Sequence, residues 1–359
     1  MGKEALGLLL AGLLGACDSG GAVPPEGAAD MRLIDMTAPM DGAAMDAQHL
    51  DVGLPTDVGS GIDGAIADAV AIDRAVPDAA VTPGCGAYAP PEETGTLGDP
   101  QLTEVSGIAA SRQPLGFLWL HNDSGDGAIL YAVGEDGGRL GRLNLPMDVN
   151  DLEDIALARC PDGQGDCLWL ADIGDNSLNR PSVAVHALRE PTVEGPFPQR
   201  RAELVHTFTV RYPDGRPHDA EALAVTPTGD RFFIITKTAD QPHVFSWETA
   251  QPGPGALTDH GGFDAPGVPV PMGRLVTGAD LHPEGGRLAL RVYTGSYEYR
   301  FGPGQDARDL AAIHPITVAI GPLSEPQGEA IAYTRDGNGL WTVSEFAAGG
   351  QPLHRYRCR

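Results

Sequence analysis

Carboxylate side chains recur in this sequence at the start of short apolar segments, as in Asp151-Leu-Glu-Asp-Ile-Ala. Carboxylate oxygens that approach one point from several directions suit Ca²⁺, a hard cation that takes about six to eight oxygen ligands. If these segments converge, we expect a calcium site whose ligands come from one set of acids: Glu153, Asp154, Asp172, Asp175, Glu221, Asp280 and Glu329. The alternative is that the acids cap strands and pair locally with arginines.

A second set of polar side chains comes after apolar segments and could contact a bound ligand: Asp123, Lys237, Arg291 and Tyr293. Lys237 is the only lysine beyond Lys3. An ammonium beside a bound cation could hold an anionic group of a ligand. The alternative is that Lys237 is simply exposed, and the connectivity of the chain does not decide between the two.

An internal repeat indicates which elements position these residues. Five units each contain an acidic or polar cluster, an apolar strand, a turn and a second apolar strand: 104–123, 151–172, 219–237, 277–292 and 327–344. Third strands are predicted at 128–133, 183–188, 243–247, 297–301 and 353–357, and fourth strands at 140–145, 204–210, 268–276 and 316–320. Units of this length and strand content are typical of propeller blades.

The repeat predicts an all-β fold, a β-propeller of five four-stranded antiparallel blades over residues 85–359. Equivalent residues of successive units are 47, 68, 58 and 50 positions apart, and the longest interval leaves room for a sixth blade. The last unit lacks its outer strand, which residues 86–103 could supply and thereby close the ring. A β-sandwich with an accidental repeat is the alternative fold.

Four cysteines fall within the predicted propeller, and three pairings are open to them. Cys160 and Cys167 flank a hairpin tip, so a local bridge is geometrically easy. Cys85 and Cys358 begin and end the repeat region, so a bridge between them would lock the seam of the ring. A metal site is the alternative, although no Cys-x-x-Cys pair is present.

The first sixteen residues have the features of an export signal. Lys3 precedes an apolar run that is too short to span a bilayer, and small residues follow it. Leu14-Gly-Ala-Cys17 resembles a bacterial lipobox, which implies cleavage before Cys17 and a lipid on its thiol. We therefore expect an exported bacterial lipoprotein of the cell envelope, attached to the membrane through Cys17. An ordinary secretory signal with an incidental cysteine is the alternative.

Residues 17–84 are predicted to form an acidic, disordered tether. They contain twelve acids and two bases, a net charge of −10, among Ala, Gly, Val and Pro and with no aromatic residue. Such a segment cannot bury enough apolar surface to offset the entropy lost on ordering. The whole chain of 359 residues carries a formal net charge of −25, which argues against nucleic acid as a partner.

Several short sequences resemble phytase-like β-propellers exported by bacteria: His121-Asn-Asp-Ser-Gly, Leu152-Glu-Asp-Ile-Ala, Asp172-Ile-Gly-Asp-Asn, His218-Asp-Ala-Glu-Ala-Leu, Thr277-Gly-Ala-Asp and Gln327-Gly-Glu-Ala-Ile-Ala-Tyr. The resemblance covers about residues 99–358. It implies a propeller fold, bound Ca²⁺ and, for true phytases, hydrolysis of phosphate esters. The sequence does not match a complete phytase active site, and its single mature lysine is few for binding phosphate.

Three functions are consistent with these features. The first is a lipid-anchored propeller of the cell envelope that binds a small molecule or a protein partner at a carboxylate-rich channel mouth organised by Ca²⁺. The second is a calcium-dependent phosphoesterase or other hydrolase. The third is a structural surface scaffold, which needs neither metal nor substrate. The sequence does not determine the oligomeric state.

Overall fold

The computed structural model describes residues 85–123, 127–270, 272–320, 325, 327–345 and 350–359. The predicted signal peptide, Cys17 and the predicted tether lie outside these residues. No helix within the described ranges is long and apolar enough to cross a membrane. The described helical structure is one 3-10 segment, Ala307–Ala312.

The chain forms five sheets, and each contains four antiparallel strands, which in blades 1 to 4 follow one another from the channel outwards. Blade 1 contains Val105–Ala110, Phe117–Asn122, Ile129–Gly134 and Arg139–Asn144. Blade 2 contains Leu152–Arg159, Asp166–Asp172, Val183–Arg189 and Glu203–Arg211. Blade 3 contains Ala220–Val225, Arg231–Thr236, His243–Glu248 and Thr258–Gly262. Blade 4 contains Val276–Leu281, Arg287–Val292, Gly295–Arg300 and Ile316–Ile320, and blade 5 contains Gly328–Tyr333, Gly339–Ser344, Pro352–Arg357 and Glu92–Thr96.

The five innermost strands form a closed ring, because each lies beside the inner strands of both neighbouring blades and the last lies beside the first. Five clusters of buried apolar side chains fill the five spaces between adjacent blades. Trp119, Trp169 and Trp341 occupy equivalent places on the second strands and are fully buried. A single blade would expose both faces to water, and packing against two neighbours buries them. The predicted five-bladed propeller is confirmed, and the sandwich is excluded.

The long interval between the inner strand of blade 2 and the inner strand of blade 3 does not contain a sixth blade. Part of it forms the nine-residue outer strand Glu203–Arg211. The two-residue strand Arg200–Arg201 runs parallel to the outer strand of blade 1 and extends that sheet. Gly255–Ala256 extends blade 2 in the same way. The extra residues therefore thicken the rim of the ring.

The prediction of a fourth strand at 268–276 was wrong. The outer strand of blade 3 is Thr258–Gly262, which pairs with His243–Glu248. Thr258–Gly262 is polar and largely solvent-accessible, so it lacks the apolar pattern by which a strand is recognised. Val276 is fully buried because it begins the inner strand of the next blade.

The two ends of the described chain close the ring together. Glu92–Thr96 pairs antiparallel with Pro352–Arg357 and supplies the missing outer strand of blade 5, as predicted. Cys85 is bonded to Cys358, with a Cα–Cα distance of 5.2 Å, and Cys160 is bonded to Cys167, with 4.8 Å. Both distances lie in the ordinary range for disulfides, and both predicted bridges are confirmed. The inner strands are thereby held around a fixed channel.

Candidate metal and ligand site at the channel mouth

A β-bulge interrupts the inner strand of every blade at the same position. The pairing with the second strand shifts at the second residue of each inner strand, so that this residue has no partner. The five bulge residues are Ser106, Glu153, Glu221, Thr277 and Glu329. A bulge redirects the side chain that it carries, and bulges are common beside functional sites. Here the repeated bulge assigns one polar side chain from each blade to the same level of the ring.

A second ring of residues lies where the second strands end. Asp123, Lys237, Tyr293 and Glu345 each follow the second strand of their blade directly. In each case the backbone N–H donates to the carbonyl of the residue just before the inner strand, as Lys237 does to Asp219 at 2.9 Å. The end of every second strand is therefore fixed beside the start of its inner strand. The same bond occurs in blade 2, from Gly174 to Asp151.

Residues of both rings, though not Thr277, line a cavity of about 120 Å³ at one mouth of the channel. Its walls are formed by Ser106, Asp123, Glu153, Asn176, Glu221, Lys237, Tyr293, Gln327, Glu329 and Glu345. All of these side chains carry polar atoms, and five are carboxylates. The cavity is therefore suited to a small polar or charged species.

Three carboxylates of this mouth lie close enough to hold one ion. Asp123, Asp151 and Glu153 each offer an oxygen, and these oxygens lie within 4.8 Å of one another. Glu153 is only 2% exposed, and its Oε1 atom is buried without a hydrogen-bond partner. An unpaired carboxylate oxygen in a buried place is costly unless a cation or a donor satisfies it. The donor set contains only oxygen and therefore suits a hard cation such as Ca²⁺.

The loop after the second strand of blade 2 passes directly against these oxygens. A Cβ atom built on Gly174 would overlap Oε1 of Glu153 and Oδ2 of Asp151. A side chain at this point would displace the two carboxylate groups, because the chain passes directly against them. The space beside Glu153 Oε1 is kept free of side-chain atoms on this side.

Asp172 and Asp175 hold this loop and the start of the inner strand in place. The carboxylate of Asp172 accepts the backbone N–H groups of Asn150 and Asp151 at 3.1 and 3.0 Å, and a hydrogen bond from Arg180 at 2.8 Å. Asp175 accepts the N–H groups of Asn179 and Arg180. Burial would raise the pKa of Asp172, but the hydrogen bonds and the Arg180 charge hold it below its usual value. Both carboxylates are satisfied within the loop and lie outside the three-carboxylate cluster.

Lys237 is neutralised within the mouth. Its ammonium donates a hydrogen bond to Glu221 and lies 5.2 Å from the centre of the Tyr293 ring. Only 14% of the Lys237 side chain is exposed. Burial alone would lower the pKa of Lys237, but Glu221 and Glu329 raise it above its usual value. The lysine is therefore a charged, buried counter-ion, and the prediction that it is simply exposed does not describe its position.

Glu329 and Glu345 form a carboxyl pair on another wall of the cavity. The side-chain amide of Gln327 donates to both, to Glu329 at 3.3 Å and to Glu345. Acceptor oxygens therefore outnumber donors on this wall. Burial and the neighbouring Glu221 raise the pKa of Glu329 well above its usual value.

Glu153, Glu221 and Asp151 are also easier to protonate than free carboxyl groups, since the pKa of each is raised. Burial raises the pKa of Glu153, and the nearby Glu221 and Asp123 raise it further. Burial raises the pKa of Glu221 to about 8 against the opposing charge of Lys237. Burial and Asp123 raise the pKa of Asp151 to about 6. These shifts share one cause, because one lysine cannot offset several buried carboxylates.

Asp154 and Asp280 do not line the cavity, and each instead accepts backbone hydrogen bonds between inner strands. Asp154 is fully buried and accepts the N–H groups of Ile155, Leu223 and Ala279 at 2.8, 2.9 and 3.1 Å. Asp280 accepts the N–H of Tyr333 at 2.8 Å. These two acids therefore join inner strands of different blades.

Arg291 is also held away from the mouth. It is fully buried and pairs with Glu325 at 2.6 Å and with Ser296 at 2.7 Å. A Cβ on Gly328 would overlap its guanidinium group, so the arginine packs against the first residue of the inner strand of blade 5. Arg291 thus joins blades 4 and 5 and is not among the residues that line the cavity.

The structure brings together six of the residues that the sequence singles out for metal or ligand binding: Asp123, Glu153, Glu221, Lys237, Tyr293 and Glu329. It places Asp154, Asp172, Asp175, Asp280 and Arg291 in internal hydrogen-bond networks. Sequence reasoning did not single out Gly174, Gln327 or Ser106 for this site. For Gly174 a signal exists, a glycine between two acids of Asp172-Ile-Gly-Asp175.

Fold and site together define a five-bladed β-propeller with a carboxylate-lined channel mouth. No family model matches the sequence, and no curated protein matches it significantly. Solved structures similar in fold include a luciferin-regenerating enzyme, with 10% identity and a TM-score of 0.38 over 74% of this chain and 93% of that one. A nidogen–laminin complex has 10% identity and a TM-score of 0.38 over 67% of this chain and 72% of that one.

Proposed function

We propose that this protein binds Ca²⁺ at the channel mouth and, through the bound ion, a small polar ligand. The observation that carries the proposal is the buried, unpaired Oε1 atom of Glu153 within a cluster of three carboxylates. A protein that bound nothing here would bear the cost of this unsatisfied acceptor with no compensation. Gly174 supports the proposal, since it keeps side-chain atoms away from the same oxygen.

Asp123, Asp151 and Glu153 would be the protein ligands of the ion. Three carboxylates supply at most six oxygens, and Ca²⁺ takes about six to eight. With one oxygen from each carboxylate, at least three positions would be open to water or to a ligand on the cavity side. Asp172 supports the arrangement from outside, because it holds the backbone of Asp151 through a hydrogen bond at 3.0 Å. The protein would thus contribute fixed oxygens, and the ligand would complete the coordination.

Calorimetric titration with Ca²⁺ tests this proposal. The protein should bind one ion per chain, and its melting temperature should rise with Ca²⁺ concentration because only the folded state offers the site. Glu153→Gln should weaken the binding at least about tenfold. Glu194→Gln is the matched control, since Glu194 is exposed and far from the mouth in sequence. Absence of binding in the wild-type protein, or equal binding in Glu153→Gln, would refute the proposal.

We propose further that the propeller is presented at the bacterial cell envelope by a lipid on Cys17. Two disulfides within the propeller support an oxidising compartment. Cys17 itself lies outside the described residues, so the support comes from the lipobox resemblance. In the native host, mass spectrometry of the mature N-terminus should find an acylated Cys17, and Cys17→Ser should release the protein from the membrane fraction. An unmodified cysteine, or membrane attachment that survives the substitution, would contradict this part.

A calcium-dependent hydrolase would use the same ion, so catalysis is an outcome that the same variants can test. Phosphomonoester, lactone and carboxylic ester substrates, each with and without a chelator, cover the reactions expected from the resemblance. Activity that disappears with chelator and in Glu153→Gln would extend the proposal from binding to catalysis. With no turnover of any of them, the binding function stands as proposed.

A further inference from the structure

The charges around the mouth limit the kind of ligand that it can bind. Lys237 is the only basic side chain among the described residues that line the cavity, and Glu221 neutralises it. Arg291, the other candidate for holding an anion, is buried and paired with Glu325. Neither cation is available to a phosphate or carboxylate group. An anionic ligand would meet the remaining carboxylates with only the metal ion to attract it.

The wall formed by Gln327, Glu329 and Glu345 has more hydrogen-bond acceptors than donors. Two carboxyl groups lie together there, and the single side-chain amide of Gln327 donates to both. An ammonium group carries three donors and a positive charge, and it could satisfy both carboxylates at once. The mouth already binds such a group, because Lys237 is held between a carboxylate and the face of an aromatic ring.

We propose that the mouth binds a primary ammonium group on an aliphatic chain, with Glu329 and Glu345 as its acceptors and Gln327 beside them. This inference rests on the proposed function for the view that the mouth is a ligand site. The cavity of about 120 Å³ has room for the head group and its first methylenes. A free amine and a lysine side chain of a protein partner share this chemistry.

Calorimetry with defined probes tests the inference. n-Butylammonium should bind the wild-type protein in a saturable way, and inorganic phosphate should not bind. Glu329→Gln and Glu345→Gln should each weaken amine binding at least about tenfold, because each removes a charge-assisted acceptor. The exposed Glu194→Gln again serves as the control. A far-ultraviolet circular dichroism spectrum and a melting curve for each variant distinguish loss of the acceptor from loss of the fold.

Two further measurements distinguish a free amine from a lysine side chain, and the amine site from the calcium site. If Nα-acetyl-lysine methylamide binds as tightly as n-butylammonium, the ligand is a lysine side chain; if only n-butylammonium binds, it is a free amine. Glu153→Gln should lose Ca²⁺ binding and keep amine binding, so the two proposals can fail separately. The inference is overturned if neither amine binds, if phosphate binds more tightly, or if Glu329→Gln and Glu345→Gln both bind like the wild type.

Discussion

The carboxylate of Asp154 accepts the backbone N–H of Ala279, 125 residues later in the chain, at 3.1 Å. The same carboxylate accepts N–H groups from its own blade and from Leu223 of blade 3. Inner strands of a propeller pair only with the second strand of their own blade, so N–H groups that face the channel need other acceptors. The carboxylate of Asp154 is such an acceptor for N–H groups of three adjacent blades. A residue that the sequence suggests as a metal ligand is therefore a link between blades at the hub.

Replacing Asp154 should destabilise the propeller without affecting the cation site. Asp154→Ala leaves three buried N–H groups without an acceptor, each at a cost of about 1–3 kcal/mol, so the free energy of unfolding should fall by about 3 kcal/mol or more. Urea denaturation followed by tryptophan fluorescence measures this. Asp148→Ala, at an exposed position, is the control and should change stability little. A loss below about 0.5 kcal/mol would contradict the role given to Asp154.

Gly174→Ala should weaken Ca²⁺ binding although it removes none of the three carboxylates. The added Cβ would overlap Oε1 of Glu153 and Oδ2 of Asp151, so either the oxygens or the loop must move away from the ion. We expect Ca²⁺ affinity to fall about 10–100-fold, as for other changes next to metal ligands. The measurement is calorimetry, with Gly163→Ala as the glycine control, since a Cβ at Gly163 would meet nothing within 4 Å. Wild-type affinity in Gly174→Ala would argue against an ion at this place.

The two disulfides should differ in their contribution to stability. The Cys85–Cys358 bridge closes a loop of 273 residues, and the Cys160–Cys167 bridge closes a loop of seven. In the loop-entropy model these lengths correspond to about 5 kcal/mol and about 2–3 kcal/mol. Thermal unfolding of Cys85→Ser/Cys358→Ser should therefore show the larger decrease in melting temperature. If the melting temperature of Cys85→Ser/Cys358→Ser falls no more than that of Cys160→Ser/Cys167→Ser, the bridge at the seam adds little to the closure already made by Glu92–Thr96.

Asp280 should make the folded state less stable as the pH rises from about 4 to 7. Burial raises its pKa from 3.8 to about 7, so the folded protein holds a proton there that the unfolded chain has already lost. Stability from this group is complete below pH 3.8 and is lost as the pH rises through about 7. Asp280→Asn does not titrate and should flatten this part of the curve of unfolding free energy against pH. A slope between pH 4 and 7 that is the same in both proteins would assign the titration to other groups.

The architecture could be predicted because its physical signals are local and repeated. Apolar strands, glycine-bearing turns and five similar units determine blades, and the missing outer strand of the last unit indicates closure by residues 86–103. The strand Thr258–Gly262 could not be found in this way, because an exposed outer strand has no apolar pattern. The cysteine pairs followed from their places at a hairpin tip and at the two ends of the repeat.

The site could be predicted only in part, because strand order does not fix side-chain direction. Glu153 and Asp154 are adjacent in the chain, yet Glu153 lines the cavity and Asp154 holds the hub. The bulge at Glu153 determines this difference, and a bulge depends on the pairing with a second strand. In the same way, the neutralisation of Arg291 by Glu325 joins residues 34 positions apart and leaves no mark in the sequence.

The most direct test of the calcium site is a long-wavelength anomalous difference map from a crystal grown with Ca²⁺. A single strong peak is expected at the channel mouth, about 2.3–2.6 Å from carboxylate oxygens of Asp123, Asp151 and Glu153. Asp154, Asp172 and Asp280 should not contact it. The absence of a peak at the mouth in such a crystal, or a peak coordinated by a different set of acids, would contradict the site proposed for this protein.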